Sequence, residues 1–248
     1  LSDTDKTDTE IAAAPPAVIE DCPRCGKPMT LCVCQDLQPI DNKIALLVLQ
    51  HPQEQDKALG TAKLTTLHFK NAVFKTGLSW PSLTKALGRT ADPKRWATLY
   101  LGSADPALIA PGLPVVALDA KGNLLPMQDM ALADIEGVIV LDGTWSQAKT
   151  LWWRNAWLLK SKRVVLAPSH PSLYGKLRRE PRREGLSTLE AAAMLLAKLE
   201  KRPDIEVKLT ATFTKLLDLY RQNPLPTVAV PGAKGGPRRR PPRRYSRG

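Results

Sequence analysis

Val138-Ile139-Val140-Leu141-Asp142-Gly143-Thr144-Trp145-Ser146-Gln147-Ala148 sets four aliphatic residues directly against an acid, a glycine and a threonine. Four such residues without a polar interruption predict a strand buried on both faces. The glycine marks a tight turn, and the apolar spacing after it predicts the start of a helix. In open α/β sheets, ligands collect beyond the carboxyl ends of strands. Asp142 stands at such an end and is the candidate centre of the chemistry.

Other runs of the same kind lie on both sides. Lys43–Gln50 predicts a central strand ending at His51-Pro52-Gln53-Glu54, and a helix then carries Thr61, Leu64 and Leu67. Short strands are expected at Ala72–Phe74 and Ala97–Leu101, separated by a helix over Trp80–Leu87. Pro114–Asp119 is a fourth strand, with Asp119-Ala120-Lys121-Gly122-Asn123 able to make it one arm of a hairpin. Gly137–Asp142 is the fifth and Arg163–Ala167 the sixth. The segment from Trp145 to Leu159 reads as one helix, with Trp145, Ala148, Trp152, Ala156 and Leu159 in a stripe that Trp153 and Trp157 widen. Packing is the expected role of these tryptophans, and base stacking by one of them the alternative. Two helices close the pattern: one opening at Gly185-Leu186-Ser187-Thr188-Leu189-Glu190, where Ser187 and Glu190 have capping-box spacing, and one over Ile205–Arg221. Strands alternating with helices imply an α/β fold with a mostly parallel sheet.

With 43% hydrophobic and 24% charged residues, the 248-residue chain has an ordinary globular composition and can bury one substantial core. No apolar run approaches the roughly 20 residues that span a bilayer, so no membrane segment is expected. Leu1–Glu20 lacks a basic region followed by an apolar one, so no secretory signal is read there and cytoplasm is the default. The net charge is +12. Residues 1–20 are acidic, then Ala/Pro-rich, and read as a disordered leader. Residues 224–248 form a Pro/Gly/Arg-rich tail read as disordered and phosphate-attracting. The tail's six arginines outweigh the acidic leader only slightly, so most of the excess charge sits on the folded body. Such a body suggests a polyanionic partner, RNA or DNA.

All four cysteines fall between Cys22 and Cys34, as Cys22-x2-Cys25 and Cys32-x-Cys34. A redox pair or an iron–sulfur site would also use cysteines, but no thioredoxin-like unit follows. Tetrahedral zinc held by Cys22, Cys25, Cys32 and Cys34, in an element spanning residues 21–40, is the expected reading. Four protein ligands leave no open position, so this zinc would be structural.

The sequence contains no G-x-G-x-x-G, no G-x-x-x-x-G-K and no H-E-x-x-H. Its three histidines show no Ser-His-Asp pattern, and nucleophilic hydrolysis is disfavoured. Asp142 is therefore the best-placed acid. Its position also suits a helix N-cap, and residue spacing alone leaves cap and catalyst open.

Asp142-Gly143-Thr144-Trp145 followed by Ala148 resembles the D-x-T-W signature of the DTW-domain family. Collinear motifs agree: the two cysteine pairs, His51-Pro52-x-Glu54, Gly60-Thr61-Ala62, Ser172 and Tyr174 before a basic Leu-Arg segment, and Leu186-Ser187-Thr188-Leu189-Glu190-Ala191. The likeness covers about residues 20 to 222. Gly175-Lys176, between Tyr174 and Leu177, departs from the family pattern and shifts the arginines after it. The cysteine block is similar to that of the bacterial tRNA-modifying type.

The resemblance implies a SPOUT-like catalytic domain over residues 41–223 with a C-terminal trefoil knot. It also implies transfer of the 3-amino-3-carboxypropyl group from S-adenosylmethionine to N3 of a uridine in tRNA, releasing methylthioadenosine, by a monomer. On that reading Asp142 is the general base. Thr144, Ser187 and Thr188 offer hydroxyls to the cofactor, Leu141 and Leu186 flank its adenine, and Trp145 and Ala167 complete the set. Glu190 is the capping partner of Ser187 or, alternatively, a catalytic residue, and Arg178, Arg179, Arg182 and Arg183 meet RNA phosphates or, in one case, the methionine carboxylate of the cofactor. A SPOUT-type RNA methyltransferase is the rival with the same fold, and a non-catalytic zinc RNA-binding module the rival of another class.

Overall fold

A computed structural model describes residues 20–54, 58–99, 114–168, 170–177 and 185–224. Its strands are β1 (Ala45–Gln50), β2 (Ala72–Thr76), β3 (Trp96–Leu99), β4 (Val115–Leu118), β5 (Gly137–Asp142) and β6 (Lys162–Leu166). They form one sheet in the order β2-β1-β5-β3-β6-β4. Every pairing is parallel except that of β4 with β6. The mixed α/β class and the mostly parallel sheet agree with the pattern of the sequence. β5 lies between β1 and β3, the interior position its unbroken aliphatic run requires.

Among the described residues, six α-helices flank the sheet: α1 (Ala62–Leu67), α2 (Leu83–Leu87), α3 (Gln128–Ala133), α4 (Trp145–Arg154), α5 (Thr188–Glu200) and α6 (Pro203–Gln222). Alternation along β5 sends its side chains to two separate cores. Val138 and Val140 join Leu46 and Val48 of β1 with Leu189, Leu196, Leu209 and Phe213 of α5 and α6. Ile139 and Leu141 join Leu47 and Leu49 with Leu83 of α2 and Leu151 and Trp152 of α4. Each buried aliphatic of this kind contributes about 1.5–3 kcal/mol relative to exposure. Gly137 opens β5 because a Cβ there would stand 2.5 Å from the indole of Trp96, its register partner on β3.

The differences from expectation have local causes. The expected helix 145–159 breaks at Asn155, which is fully buried. Its amide donates to the carbonyls of Leu151 and Leu78 and its oxygen accepts from the N–H of Trp80. Residues Ala156–Lys160 continue as a 3-10 turn. Trp152 and Trp157 are buried, but Trp153 is 74% exposed and does not widen the packed stripe. The helix expected over 80–87 is shorter because Ser82, whose hydroxyl accepts from the N–H of Lys85, caps it so that it starts three residues late, at Leu83. β3 starts one residue early at Trp96, and its expected end at Leu101 lies outside the described residues. Asp119 and Asn123 close the expected turn after β4, and Leu118 bridges Leu124.

The cysteine-bearing segment is fused to the body. Leu31, Val33 and Leu37 belong to the core shared by β5 and α6. Residues 1–19 of the expected leader, Arg178, Arg179, Arg182, Arg183 and the tail beyond Pro224 lie outside the described residues. Among those described, no helix is long and apolar enough to cross a membrane.

Candidate active site

Strand parity positions Asp142. Leu141 points into the α2/α4 core, so Asp142 falls on the face that carries Val138 and Val140, toward α5. Gln50 is its register partner at the end of β1. The Asp142 carboxylate accepts from both sides: Oδ2 from Gln50 Nε2 at 2.9 Å, and Oδ1 from the hydroxyl of Thr188 in the first turn of α5. The N-terminal end of a 13-residue helix favours a nearby negative charge. The carboxylate is half-buried, hydrogen-bonded and accessible, as a proton acceptor must be.

Asp142 is not the cap of α4. Thr144 is: its Oγ1 accepts from Gln147 N–H, and Gln147 Oε1 accepts from Thr144 N–H at 2.7 Å. Thr144-x-x-Gln147 is itself a capping-box spacing, so the sequence held the signal that separates the two roles. Gly143 joins them at φ 144°, a conformation other residues rarely adopt. A Cβ there would also stand 2.9 Å from the Gln147 side chain and 3.3 Å from His51 Cβ.

The start of α5 ties the remaining loops to this turn. Ser187 and Glu190 form the expected capping box. Glu190 is buried and also accepts from Ser172 Oγ at 2.7 Å and Leu173 N–H at 2.8 Å. Tyr174, fully buried, donates its hydroxyl to the Leu59 carbonyl at 2.7 Å, and Leu189 N–H donates to Thr61 Oγ1 at 3.2 Å. Segments 59–61, 142–145, 172–174 and 187–190 thus converge on one place.

The residues expected at the cofactor fare differently. Leu141 is buried toward α4, and Leu186 is half-buried beside the α5 cap. Ser187 is buried with its oxygen accepting from Glu190 N–H, and Thr188 gives its proton to Asp142. Thr144 is exposed but engaged in its cap. Trp145 is half-buried with Lys149 Nζ 5.6 Å from its ring centroid. Ala167 lies at the far edge, its N–H on the Pro114 carbonyl at 2.9 Å. Geometry therefore joins Asp142 to Thr188 and, through α5, to Ser187 and Leu186, whereas Ala167 pairs with Pro114 at the edge strand instead.

The four cysteines assemble as a second site. Their sulfurs all lie within 4.8 Å of one another, and Cys22, Cys25 and Cys34 are buried. Thiolate ligands about 2.3 Å from a common ion fit that spread. The backbone N–H of Cys25 lowers the Cys22 thiol to about 6, while burial raises Cys25 and Cys34. Cys34 N–H lies 3.5 Å from Cys32 Sγ, and Arg24 holds the Cys34 carbonyl at 2.8 Å. Lys27, also buried, donates to the carbonyls of Ala58 (2.9 Å) and Gly60, linking this segment to the 59–61 segment of the Asp142 site.

The family model of the DTW domain matches residues 19–221. The chain belongs to the DTW-domain family. Three relatives are each a "tRNA-uridine aminocarboxypropyltransferase 2". That of Macaca fascicularis is 27% identical over 90% of this chain and 71% of its own length. The Mus musculus protein is 29% identical over 82% and 64%, and the Drosophila melanogaster protein 30% identical over 79% and 72%. All three are animal proteins, so the expected bacterial subtype is not illustrated by them. No solved structure matches the chain.

The signature of this DTW domain divides its labour: Asp142 presents a carboxylate, Gly143 turns the chain and Thr144 caps the helix. Gln50 is the partner that sequence reasoning missed as a site residue. Its only signal was its place at the end of an aliphatic run as unbroken as that of β5. His51, next to it, is buried, its N–H on the Asp142 carbonyl at 3.0 Å and its Nδ1 accepting from Gln53 N–H.

Proposed function

We propose that this DTW domain transfers the 3-amino-3-carboxypropyl group of S-adenosylmethionine to N3 of a uridine in tRNA, with methylthioadenosine as co-product. One observation carries the reading at the level of the site. The Asp142 carboxylate, at the end of a buried strand, is held by Gln50 and Thr188 and is free of the helix cap. The names of the three relatives, which this chain spans for 64–72% of their length, support the substrate and the group transferred.

Asp142 is the general base. The uracil N3–H is weakly acidic, and a carboxylate within hydrogen-bond reach removes its proton as N3 attacks. Thr188 and Gln50 fix the rotamer of that carboxylate, and the N-terminus of α5 favours its charge. S-adenosylmethionine, when bound, supplies a carbon made electrophilic by the adjacent sulfonium. Leu186, half-buried beside the α5 cap, suits an apolar adenine face, and the helix N-terminus suits a carboxylate. Trp145 borders the turn, and Thr144 and Ser187 shape the walls mainly as caps.

The segments a C-terminal knot would weave, after β5, after β6 and before α5, are those drawn together by Asp142, Ser172 and Glu190; this supports a SPOUT-like knotted topology. Cys22, Cys25, Cys32 and Cys34 would hold zinc with a closed, structural coordination, and residues 21–40, 41–223 and the two ends remain the proposed division of the chain. The basic body, with Arg178, Arg179, Arg182 and Arg183, would meet tRNA phosphates, the protein acting as a cytoplasmic monomer.

The test is incubation with undermodified tRNA and S-adenosylmethionine labelled separately in the methyl and carboxypropyl carbons. Carboxypropyl label in tRNA with methylthioadenosine released is expected. Methyl label would replace the reading with a methyltransferase, and tRNA binding without transfer with a binding module.

A further inference from the structure

Gln50 and Asp142 stand side by side at the ends of adjacent parallel strands, with Nε2 and Oδ2 2.9 Å apart. A carboxylate only accepts, so the amide of Gln50 must turn Nε2 toward it and Oε1 away. That nitrogen has two protons and spends one on Asp142. Oδ1 is engaged by the hydroxyl of Thr188. Oδ2 keeps a second lone pair, because a carboxylate has about four acceptor positions. The pair therefore exposes an acceptor beside a donor, the order in which adenine presents N1 and its amino group.

Resting on the transfer to uridine N3 proposed above, we infer that Gln50 and Asp142 together read the base. Oδ2 accepts the N3–H of uracil, and the second amide proton of Gln50 donates to the carbonyl oxygen next to N3. Enzymes that act on a base commonly read its Watson–Crick edge in this way. Cytosine is refused twice. Its N3 carries a lone pair where Asp142 needs a proton, and its amino group donates where Gln50 donates. A site built to hydrogen-bond its substrate rejects a mismatched group strongly, because its own polar atoms are left unpaired.

The same contact assists the chemistry. As the N3 proton passes to Oδ2 and the N3–carbon bond forms, the carbon–sulfur bond breaks and its electron pair stays on sulfur as a neutral thioether. During proton removal, negative charge spreads from N3 to the flanking carbonyl oxygens. A donor already aimed at one of them is worth more at that moment than in the ground state. Gln50 is thus a catalytic residue that touches the base, as well as the residue that holds Asp142.

The test uses the full chain and tRNA carrying uridine, 2-thiouridine or 4-thiouridine at the modified position, since sulfur accepts hydrogen bonds poorly. With the wild-type protein, one thio-substitution should lower kcat/KM by about tenfold, the worth of one hydrogen bond. Gln50→Met, of similar size but without a donor, should be slower on uridine by about 10²-fold and show no such penalty. Thiation also alters N3 acidity, but this is common to both proteins and cancels in their ratio. Equal slowing of Gln50→Met on all three substrates would leave Gln50 only a support for Asp142 and overturn the inference. Failure of the wild type to modify uridine at all would instead remove the proposed activity, and this inference with it.

Discussion

The hydroxyl of Thr188 reaches the carboxylate of Asp142 from the first turn of α5, 46 residues further along the chain, whereas α4, which starts three residues after Asp142, takes its cap from Thr144. The acid in the signature is thereby spared a structural duty. Its two oxygens answer to two different elements, and both partners donate. Such an arrangement orients a carboxylate while leaving lone pairs for a substrate proton.

Asp142→Asn keeps the shape and removes the base. Transfer should fall by about 10²–10⁴-fold, with the affinity for S-adenosylmethionine close to that of the wild type. Single-turnover transfer and equilibrium titration of the cofactor measure the two effects. Undiminished transfer would return Asp142 to a structural role.

Thr188→Val removes the hydroxyl from one side of Asp142 at nearly constant volume. A hydrogen bond to a charged group contributes about 1.5–3 kcal/mol, so kcat should drop by about tenfold to a hundredfold. Thr188→Ser should recover most of it, because the donor is restored. If Val and Ser variants react alike, the hydroxyl does not position the base.

Cys25→Ser should abolish stoichiometric zinc measured by atomic emission, and lower the melting temperature. Zinc-binding and folding free energies are shared in such elements. The Lys27 contacts to Ala58 and Gly60 would loosen with the element, so transfer should weaken while the metal itself takes no part in it. Native protein purified without zinc would refute the metal assignment.

His68, the residue after α1, is 4% exposed and its Nε2 has no partner among the described residues. Burial lowers its pKa from 6.5 to about 4. The folded state thus prefers neutral imidazole. Its contribution is fully present above pH 6.5 and is lost as the pH falls from there toward 4, where the unfolded chain binds the extra proton. The shift corresponds to about 3 kcal/mol. Urea unfolding at a series of pH values should show this slope, and His68→Leu should flatten it.

How much of this was written in the sequence varied with how local the determining force was. β5 was legible to the residue, because burial on both faces demands an unbroken aliphatic run. The four-cysteine cluster was legible from spacing alone. The end of α4 was not. Periodicity continues through Trp157, but three backbone bonds to Asn155, two of them from a segment more than seventy residues away, stop the helix and leave Trp153 facing outward. Gln50 was hidden for a similar reason. Its link to Asp142 is the register of two strands 92 residues apart, and no local pattern records register. The Thr144–Gln147 box was legible and would have settled the cap, since a helix has one N-cap.

The buried bridge from Lys27 to the carbonyls of Ala58 and Gly60 has a practical consequence for assays. With zinc held by the four cysteines as proposed, chelators would silence transfer, and the protein would pass for a metalloenzyme. Refilling the cysteines with cadmium or cobalt would expose the difference: a Lewis acid at the reacting atoms changes the rate with the identity of the ion, whereas a clasp only has to close. Activity restored to one common level by any tetrahedral thiophilic ion would show that the metal acts on the shape of the protein, at a distance from the base it modifies.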